Sequence, residues 1–351
     1  MTVDSSSMTL TSGEEGHPGT HAEPMGGGAD VALELTAAVI AIRNNVPVVL
    51  VVDEVAGHGA ADTLPSGRFV PGTHTSLELG LRDHVRQRTG LELGYVEQLY
   101  TFGNGIGDGV AADAEPRTIS IAYLALMLGA AEPPRGTCGW RSVYDYFPWE
   151  DWRNQRPDVL SREIEPRLKA WAQANTLNDN GVTSLLDLRE RASIAFGLDG
   201  ARWDDERVLD RFELMCDAGL VPGADTHREP HENGASAEGA LGRAMLFDHC
   251  RILAAAVGRL RGKIRYRPVV FELMEPEFTL YDLQRTVEAI LGPHLHKQNF
   301  RRLVESVGLV EPTGEIRTHT GGRPARLYRF RREVLMERPA PGVRVKAVAR
   351  G

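Results

Sequence analysis

The stretch from Thr279 to Phe330 constrains the fold more than any other part of the chain. Thr279-Leu280-Tyr281-Asp282 has the T-x-x-D spacing of a capping box, in which the Thr hydroxyl accepts from an orphan amide and the Asp reaches back. Behind it Leu280, Leu283, Val287, Ile290 and Leu291 fall on one side of a 3.6-residue period, and Gly292-Pro293 ends the helix. After a short turn, Lys297 to Val307 carries a second apolar stripe of Phe300, Leu303, Val304 and Val307, with Gly308 as a natural C-terminal stop. Leu309-Val310 and Leu327 to Phe330 then flank a Gly-rich loop bearing Arg317, Arg323 and Arg326. With a short helix over Val269 to Met274 in front, this order predicts a winged helix-turn-helix over residues 263–338.

The polar side of the second helix opens with Lys297, Gln298, Asn299, Arg301 and Arg302. Those side-chain types read base edges and phosphates when a helix lies in the major groove. Thr279, at the start of the preceding helix, joins them as a candidate DNA contact, and Arg317, Arg323 and Arg326 are candidates from the wing. The expected partner is a double-stranded DNA operator. A solvated Arg face, or a winged helix that docks protein, would produce the same pattern.

Charge favours the nucleic-acid reading. From Arg261 onward there are 18 Lys and Arg against 10 Asp and Glu, while the whole chain of 351 residues is at −8. A basic end at +8 is thus joined to an acidic body at −16, which suits a sensor attached to a nucleic-acid reader. No apolar run approaches the ~20 residues of a membrane span. Residues 1–30 are Ser, Gly, Glu and His without an apolar core, so a disordered tail and no signal peptide are expected. Cys138, Cys216 and Cys250 form no CxxC pair, and the expected location is the cytoplasm.

Upstream, Ala38 to Ile42 and Pro47 to Val52 are apolar runs around Asn44-Asn45, the pattern of a β-hairpin. Gly67 to Gly72 suggests a loop, Leu77 to Thr89 a helix stopped by Gly90, and Tyr95 to Phe102 and Thr118 to Leu128 two further strands. This α/β unit is expected over residues 31–160. Four of the five tryptophans, Trp140, Trp149, Trp152 and Trp171, fall where it ends, either as a pocket cover or as packing between helix and sheet. A helical insert and linker helix occupy residues 161–262, and residues 339–351 form a tail. In the linker helix Leu246, Cys250, Leu253, Val257, Leu260 and Ile264 repeat every three or four residues. That stripe suits a dimer seam or packing inside its own domain equally well.

The sequences KQNFRRLVESVGLVEPTGE and GGRPARLYRF, with LELGYVEQLYTFG, ISIAYLALM, GWRSVYDYFPWEDW and RLRGKIRYRPVVFELM, resemble those of NadQ/NrtR-type regulators of NAD metabolism. The resemblance spans roughly residues 35–335. It implies an α+β chain: an N-terminal Nudix-like α/β/α sandwich, a helical middle segment and the winged helix. It also implies a repressor of NAD-synthesis or salvage genes, and two recognition helices on one face of an operator call for a homodimer. The effector would be an adenine-containing nucleotide such as NAD, ADP-ribose or ATP, with no bound cofactor.

A working Nudix helix presents paired glutamates to divalent metals that activate water. Here Gln87 and Arg88 stand where that pair belongs, and Asp83 and His84 replace the Arg-Glu pair before it. The sequence therefore predicts no catalytic residues, no metal site and no hydrolysis. A Nudix pyrophosphatase and a nucleotide-sensing adaptor remain the rival functions. For an effector, Arg68, Arg82 and Arg86 are candidates for phosphates, Glu78 is the surviving carboxylate, and Tyr100, Phe102 and Tyr123 are candidates to stack on a base. His227 and His231 have metal-ligand spacing, but Pro230 and its neighbours place them in a loop.

Overall fold

A computed structural model describes residues 31–56, 59–103, 117–134, 136–175, 186–221, 241–318, 324–337 and 342–343. The expected N-terminal tail, Arg323 and the His227/His231 pair lie outside the described residues. The body is a seven-stranded sheet. Strand β1 (Val31–Arg43) turns at Asn44-Asn45, both at positive φ, into β2 (Val46–Ala56). Paired Asn residues suit this turn because their short polar side chains tolerate the left-handed region. β3 (Gly59–Thr63), β4 (Ser66–Arg68), β5 (Tyr95–Phe102), β6 (Arg117–Leu126) and β7 (Cys138–Ser142) complete the sheet. Its order is β3-β2-β1-β6-β5, with β4 added to β1 and β7 to β2. The β1–β6 pair is parallel and the other pairs are antiparallel.

The central strands are apolar on both sides because both faces are covered. Leu35, Val39, Leu50 and Tyr123 point to the face on which helix α1 (Leu77–Thr89) lays Leu81 and Val85. Ile40, Val49, Val51 and Leu124 point to the other face, which is covered by the helical part of the chain. The strict alternation follows from the two-residue period of a strand. The expected loop after Gly67 begins only past Arg68, because Glu34, Leu35 and Thr36 pair with Arg68, Gly67 and Ser66.

The helical layer comprises α2 (Val143–Tyr146), α3 (Glu165–Asn175), α4 (Leu188–Phe196), α5 (Val208–Asp217) and the linker helix α6 (His249–Tyr266). α6 lies against α5, β1, β5 and β6. Leu253, Val257, Leu260 and Ile264 are all buried there, and Leu246 precedes the helix. The periodic stripe is therefore internal packing, and it is not available as a dimer seam. Trp149 is fully buried in the same core, while Trp140 packs against the α1-side core and Trp152 lies 4.6 Å from Trp203. The tryptophans are packing groups on both sides of the sheet.

The C-terminal domain has the expected winged-helix order. A 3₁₀ turn (Val269–Leu273) leads to β8 (Phe278–Thr279), α7 (Leu280–Leu291), α8 (Lys297–Val307), β9 (Val310–Arg317) and β10 (Ala325–Phe330). Its small sheet runs β8-β10-β9. Phe300, Val304, Leu309 and Tyr328 close its core, which is continuous with the helical layer through α6 and α7. Within the expected tail the described residues are 342–343, where Val343 is buried and its amide donates to Ile264 O at 2.9 Å.

Candidate nucleic-acid interface and nucleotide pocket

The outward face of α8 is set by its inward one. Phe300 and Val304, one turn apart, are buried, and the helix ends at Gly308 in the left-handed region at φ 65°. Lys297, Gln298, Asn299, Arg301 and Arg302 are consequently exposed together. Arg301 Nε donates to Glu305 Oε1 at 3.0 Å along the helix. Among the described residues, the side chains of Lys297, Gln298, Asn299 and Arg302 make no ion pair or hydrogen bond.

The turn that aims α8 is held by two polar residues of α7 that the sequence reading did not single out. Glu288 is buried, and its Oε1 accepts from Leu295 N at 2.9 Å and from Gln284 Nε2 at 2.8 Å. Gln284 Nε2 also donates to Leu295 O at 2.8 Å. Burial alone would raise the Glu288 pKa, but these donors together with His294 hold it below the ordinary value. The only hint in the sequence was two polar residues placed next to an apolar stripe.

At the other end of α7 the capping box forms: Thr279 Oγ1 accepts from Asp282 N at 3.1 Å, and Asp282 Oδ2 accepts from Thr279 N at 2.9 Å. Thr279 is only 5% exposed and its hydroxyl oxygen accepts the cap bond, which argues against its place among the candidate DNA contacts. In the wing, Arg317 pairs with Asp282 at 2.9 Å, whereas Arg326 is exposed and has no ion pair among the described residues. Arg329 pairs across the strands with Glu311 at 2.7 Å.

The C-terminal carbonyls of α7 are held from the body. Tyr144 Oη donates to Ala289 O at 2.8 Å, and Arg261 Nε donates to Ile290 O at 2.9 Å. Burial pushes the Tyr144 phenol up to about 12, against the pull of Arg261, so it remains a donor. Arg261 in turn shares the buried Glu150 carboxylate with Arg211, whose Nε donates to Glu150 Oε1 at 2.6 Å. All three groups are essentially without solvent contact. Arg211 also donates to Ala195 O and Asp204 O, and its guanidinium lies 3.9 Å from the centre of the Trp203 ring. Burial raises the Glu150 pKa, but the two arginines outweigh it and keep the carboxyl below its ordinary range.

The seven effector candidates divide between the two faces of the sheet. Around α1 stand Glu78, Arg82, Arg86 and Arg68, with Tyr123 buried beneath them. Arg82 is committed to Glu78 at 2.8 and 2.9 Å, and to the carbonyls of Leu93 at 2.6 Å and Gly94 at 3.0 Å. It ties α1 to the loop that follows. Arg86 pairs with Asp83 at 3.1 Å, and Arg68 is exposed. Burial, and secondarily the Glu78 charge, raises the Tyr123 pKa, which puts that phenol near the surviving carboxylate. Tyr100 and Phe102 are elsewhere: the Tyr100 ring faces Arg259 of α6 at 5.5 Å, and Phe102 packs on the helical-side core. They do not stand with the α1 residues, because β5 turns them to the opposite side.

On α1 itself Gln87 and Arg88 are exposed, and His84 Nε2 meets Arg68 O at 2.9 Å. Gly67 permits this, because a Cβ there would lie 2.4 Å from the His84 ring. Among the described residues, the carboxylates close enough to share a cation are Asp204, Asp205 and Glu206, away from α1. Arg265 already pairs with Asp205 and Glu206.

A mixed sheet with one helix on the α1 face, joined through a helical layer to a winged helix with an exposed basic and amide face, defines a two-part architecture. Residues 270–330 match the family model described as the NrtR DNA-binding winged helix domain. The chain is 43% identical over 100 residues to the ADPR responsive transcriptional repressor NtrR of Acinetobacter baylyi, an alignment covering 28% of this chain and 40% of that protein. It thus spans well under half the length of that curated relative. Shewanella oneidensis NrtR complexed with a 27mer DNA shares the fold at a TM-score of 0.51 and 19% identity, covering 87% of this chain and 95% of that one. The same protein without DNA gives 0.50 and 20%, over 86% and 95%. The expected Nudix-like body with a C-terminal winged helix is the fold observed. No helix among the described residues is long and apolar enough to cross a membrane.

Proposed function

We propose that this chain is a nucleotide-responsive transcriptional repressor that reads a double-stranded DNA operator with α8 and the wing. It would act as a cytoplasmic homodimer on genes of NAD synthesis or salvage. The observation that carries the reading is the exposed set Lys297, Gln298, Asn299, Arg301 and Arg302, on a helix of the segment that matches the NrtR winged helix model. Two recognition helices on one face of DNA call for a two-fold pair. ADP-ribose is the favoured effector among ADP-ribose, NAD and ATP, because the Acinetobacter baylyi relative is named as responsive to it. The α1 face of the sheet is the candidate site, where Arg68 and Arg86 would meet phosphates, with Glu78 and Tyr123 beside them. Arg82 would serve that site by holding its walls together.

The body would bind without hydrolysing, because Gln87 and Arg88 occupy the positions of the metal-binding glutamates. Footprinting on the protein's own promoter region, with and without each nucleotide, tests the reading. The expected result is a protected site whose occupancy changes with ADP-ribose. No protection at low salt would end the DNA-reading proposal.

A further inference from the structure

The reading helix is not connected to the sheet by covalent sequence alone. The segment from Cys138 to Trp152 begins as β7, paired to β2 from Val48↔Ser142 to Val52↔Cys138. Its Trp140 packs into the core that also holds Leu81 and Val85 of α1. The segment then crosses to the opposite face, where Tyr144 and Trp152 meet the end of α7 and Glu150 reaches it through Arg261. Tyr144 Oη takes Ala289 O at 2.8 Å. Glu150 holds Arg261, which takes Ile290 O at 2.9 Å. Trp152 lies so close to the turn that a Cβ on Gly292 would sit 3.0 Å from its own Cβ.

The last four carbonyls of a helix have no partner within it, so whatever satisfies them fixes where the helix ends. Here two of the four are satisfied by side chains from outside the winged helix, and a third, Glu288 O, by Gly292 N at 2.8 Å. α8 begins at Lys297, five residues after Gly292.

We infer that Tyr144 and Glu150 are positioning residues for DNA reading: the Cys138–Trp152 strap sets the angle of α8 by holding the end of α7, and it carries the state of the α1 face to that helix. This rests on the DNA-reading proposal for its consequence, but the placement of the turn can be tested without DNA.

The experiment compares Tyr144→Phe with Tyr146→Phe in the full chain. Tyr146 supplies a control of the same chemistry two residues on, since its hydroxyl donates to Asp62 Oδ2 at 2.6 Å and, among the described residues, makes no hydrogen bond to α7. Amide hydrogen exchange over residues 288–304 and operator affinity are both measured, with and without ADP-ribose. Tyr144→Phe is expected to speed exchange in that window and weaken operator binding by up to about tenfold, the reach of one neutral hydrogen bond. It should also blunt the change in exchange that ADP-ribose causes there. Tyr146→Phe should leave all three as in the wild type. Equal effects from the two variants, or unchanged exchange over residues 288–304 in Tyr144→Phe, would overturn the inference. If the wild type binds no operator, the DNA-reading proposal falls, while the exchange comparison still decides whether the strap holds the turn. Glu150→Gln, which keeps the shape and removes the charge shared by the two arginines, should reproduce the Tyr144→Phe pattern if it folds. If it does not fold, the Tyr144 and Tyr146 pair decides alone.

Discussion

Arg317 on β9 donates to the same Asp282 oxygen that closes the capping box of α7, at 2.9 Å. One carboxylate therefore anchors both the start of a helix and the base of the wing. The Thr279 hydroxyl is enclosed within that arrangement. Thr279→Ala should lower the unfolding free energy by about 1 kcal/mol, the usual worth of such a cap. Operator affinity measured well below the melting temperature should stay at the wild-type value. A clear loss of affinity in a folded Thr279→Ala protein would put the hydroxyl back on the DNA.

Arg302 and Arg301 share the exposed face of α8 but differ in their surroundings, since only Arg301 is tied to Glu305. Arg302→Ala should weaken binding to all sequences and reduce the salt slope by about one unit, as expected for one lost phosphate contact. Arg301→Ala should cost less, because Arg301 must first leave Glu305. If Asn299 or Gln298 pairs with an adenine, its loss should cost about 1–3 kcal/mol at one operator position only. Titrations at two or more salt concentrations, with circular dichroism as the folding control, separate these outcomes. A folded Arg301→Ala/Arg302→Ala double variant with wild-type affinity and slope would mean that α8 is not the reader.

Leu253 has no exposed surface, at the middle of the α6 stripe. Leu253→Ala should cost about 2–5 kcal/mol of stability, read from the urea midpoint. Leu253→Asp should abolish the folded state, because an unpaired buried carboxylate costs several kcal/mol. Sedimentation of folded Leu253→Ala should show the wild-type association state. Folded monomers from a wild-type dimer would contradict the internal placement of the stripe.

His249 Nδ1 accepts from Leu64 N at 2.9 Å, which requires a neutral ring. Burial, and secondarily the Arg88 charge, lowers its pKa from 6.5 to about 4. An unfolded chain would bind a proton near pH 6.5 that the folded chain refuses. The contribution is thus fully present above pH 6.5 and is lost as pH falls toward about 4. The shift corresponds to roughly 3 kcal/mol at the upper end. Urea midpoints at pH 7 and pH 5 should differ less in His249→Asn than in the wild type. An NMR titration of the His249 ring with a midpoint near 6.5 would remove the effect.

With Mg²⁺ or Mn²⁺ the pure protein should release no mononucleotide from ADP-ribose or NADH. Chromatography after extended incubation is the measurement. Metal-dependent turnover that Glu78→Gln abolishes would show that one glutamate suffices.

The local elements were readable because their causes are local. The helix from Leu77 to Thr89, the helix from Lys297 to Val307, the Asn44-Asn45 turn and the Thr279–Asp282 box all stand as their spacing predicts. Periodicity, caps and turn residues act over a few positions, so one chain suffices to see them. The exposed basic face of α8 follows from the same period. What tertiary structure decided is where a periodic face goes and which polar groups meet across the chain. The α6 stripe has the same spacing whether it meets a second copy or its own sheet, and only the packing against α5, β1, β5 and β6 settles it as core. Tyr100 and Tyr123 are both strand tyrosines, and they ended on opposite faces of one sheet. Glu150, Arg211 and Arg261 are separated by tens of residues, and none of them has a sequence neighbour that announces its partners. Their meeting depends on how the helical layer folds over the sheet, because charge pairing has no period for a sequence to display.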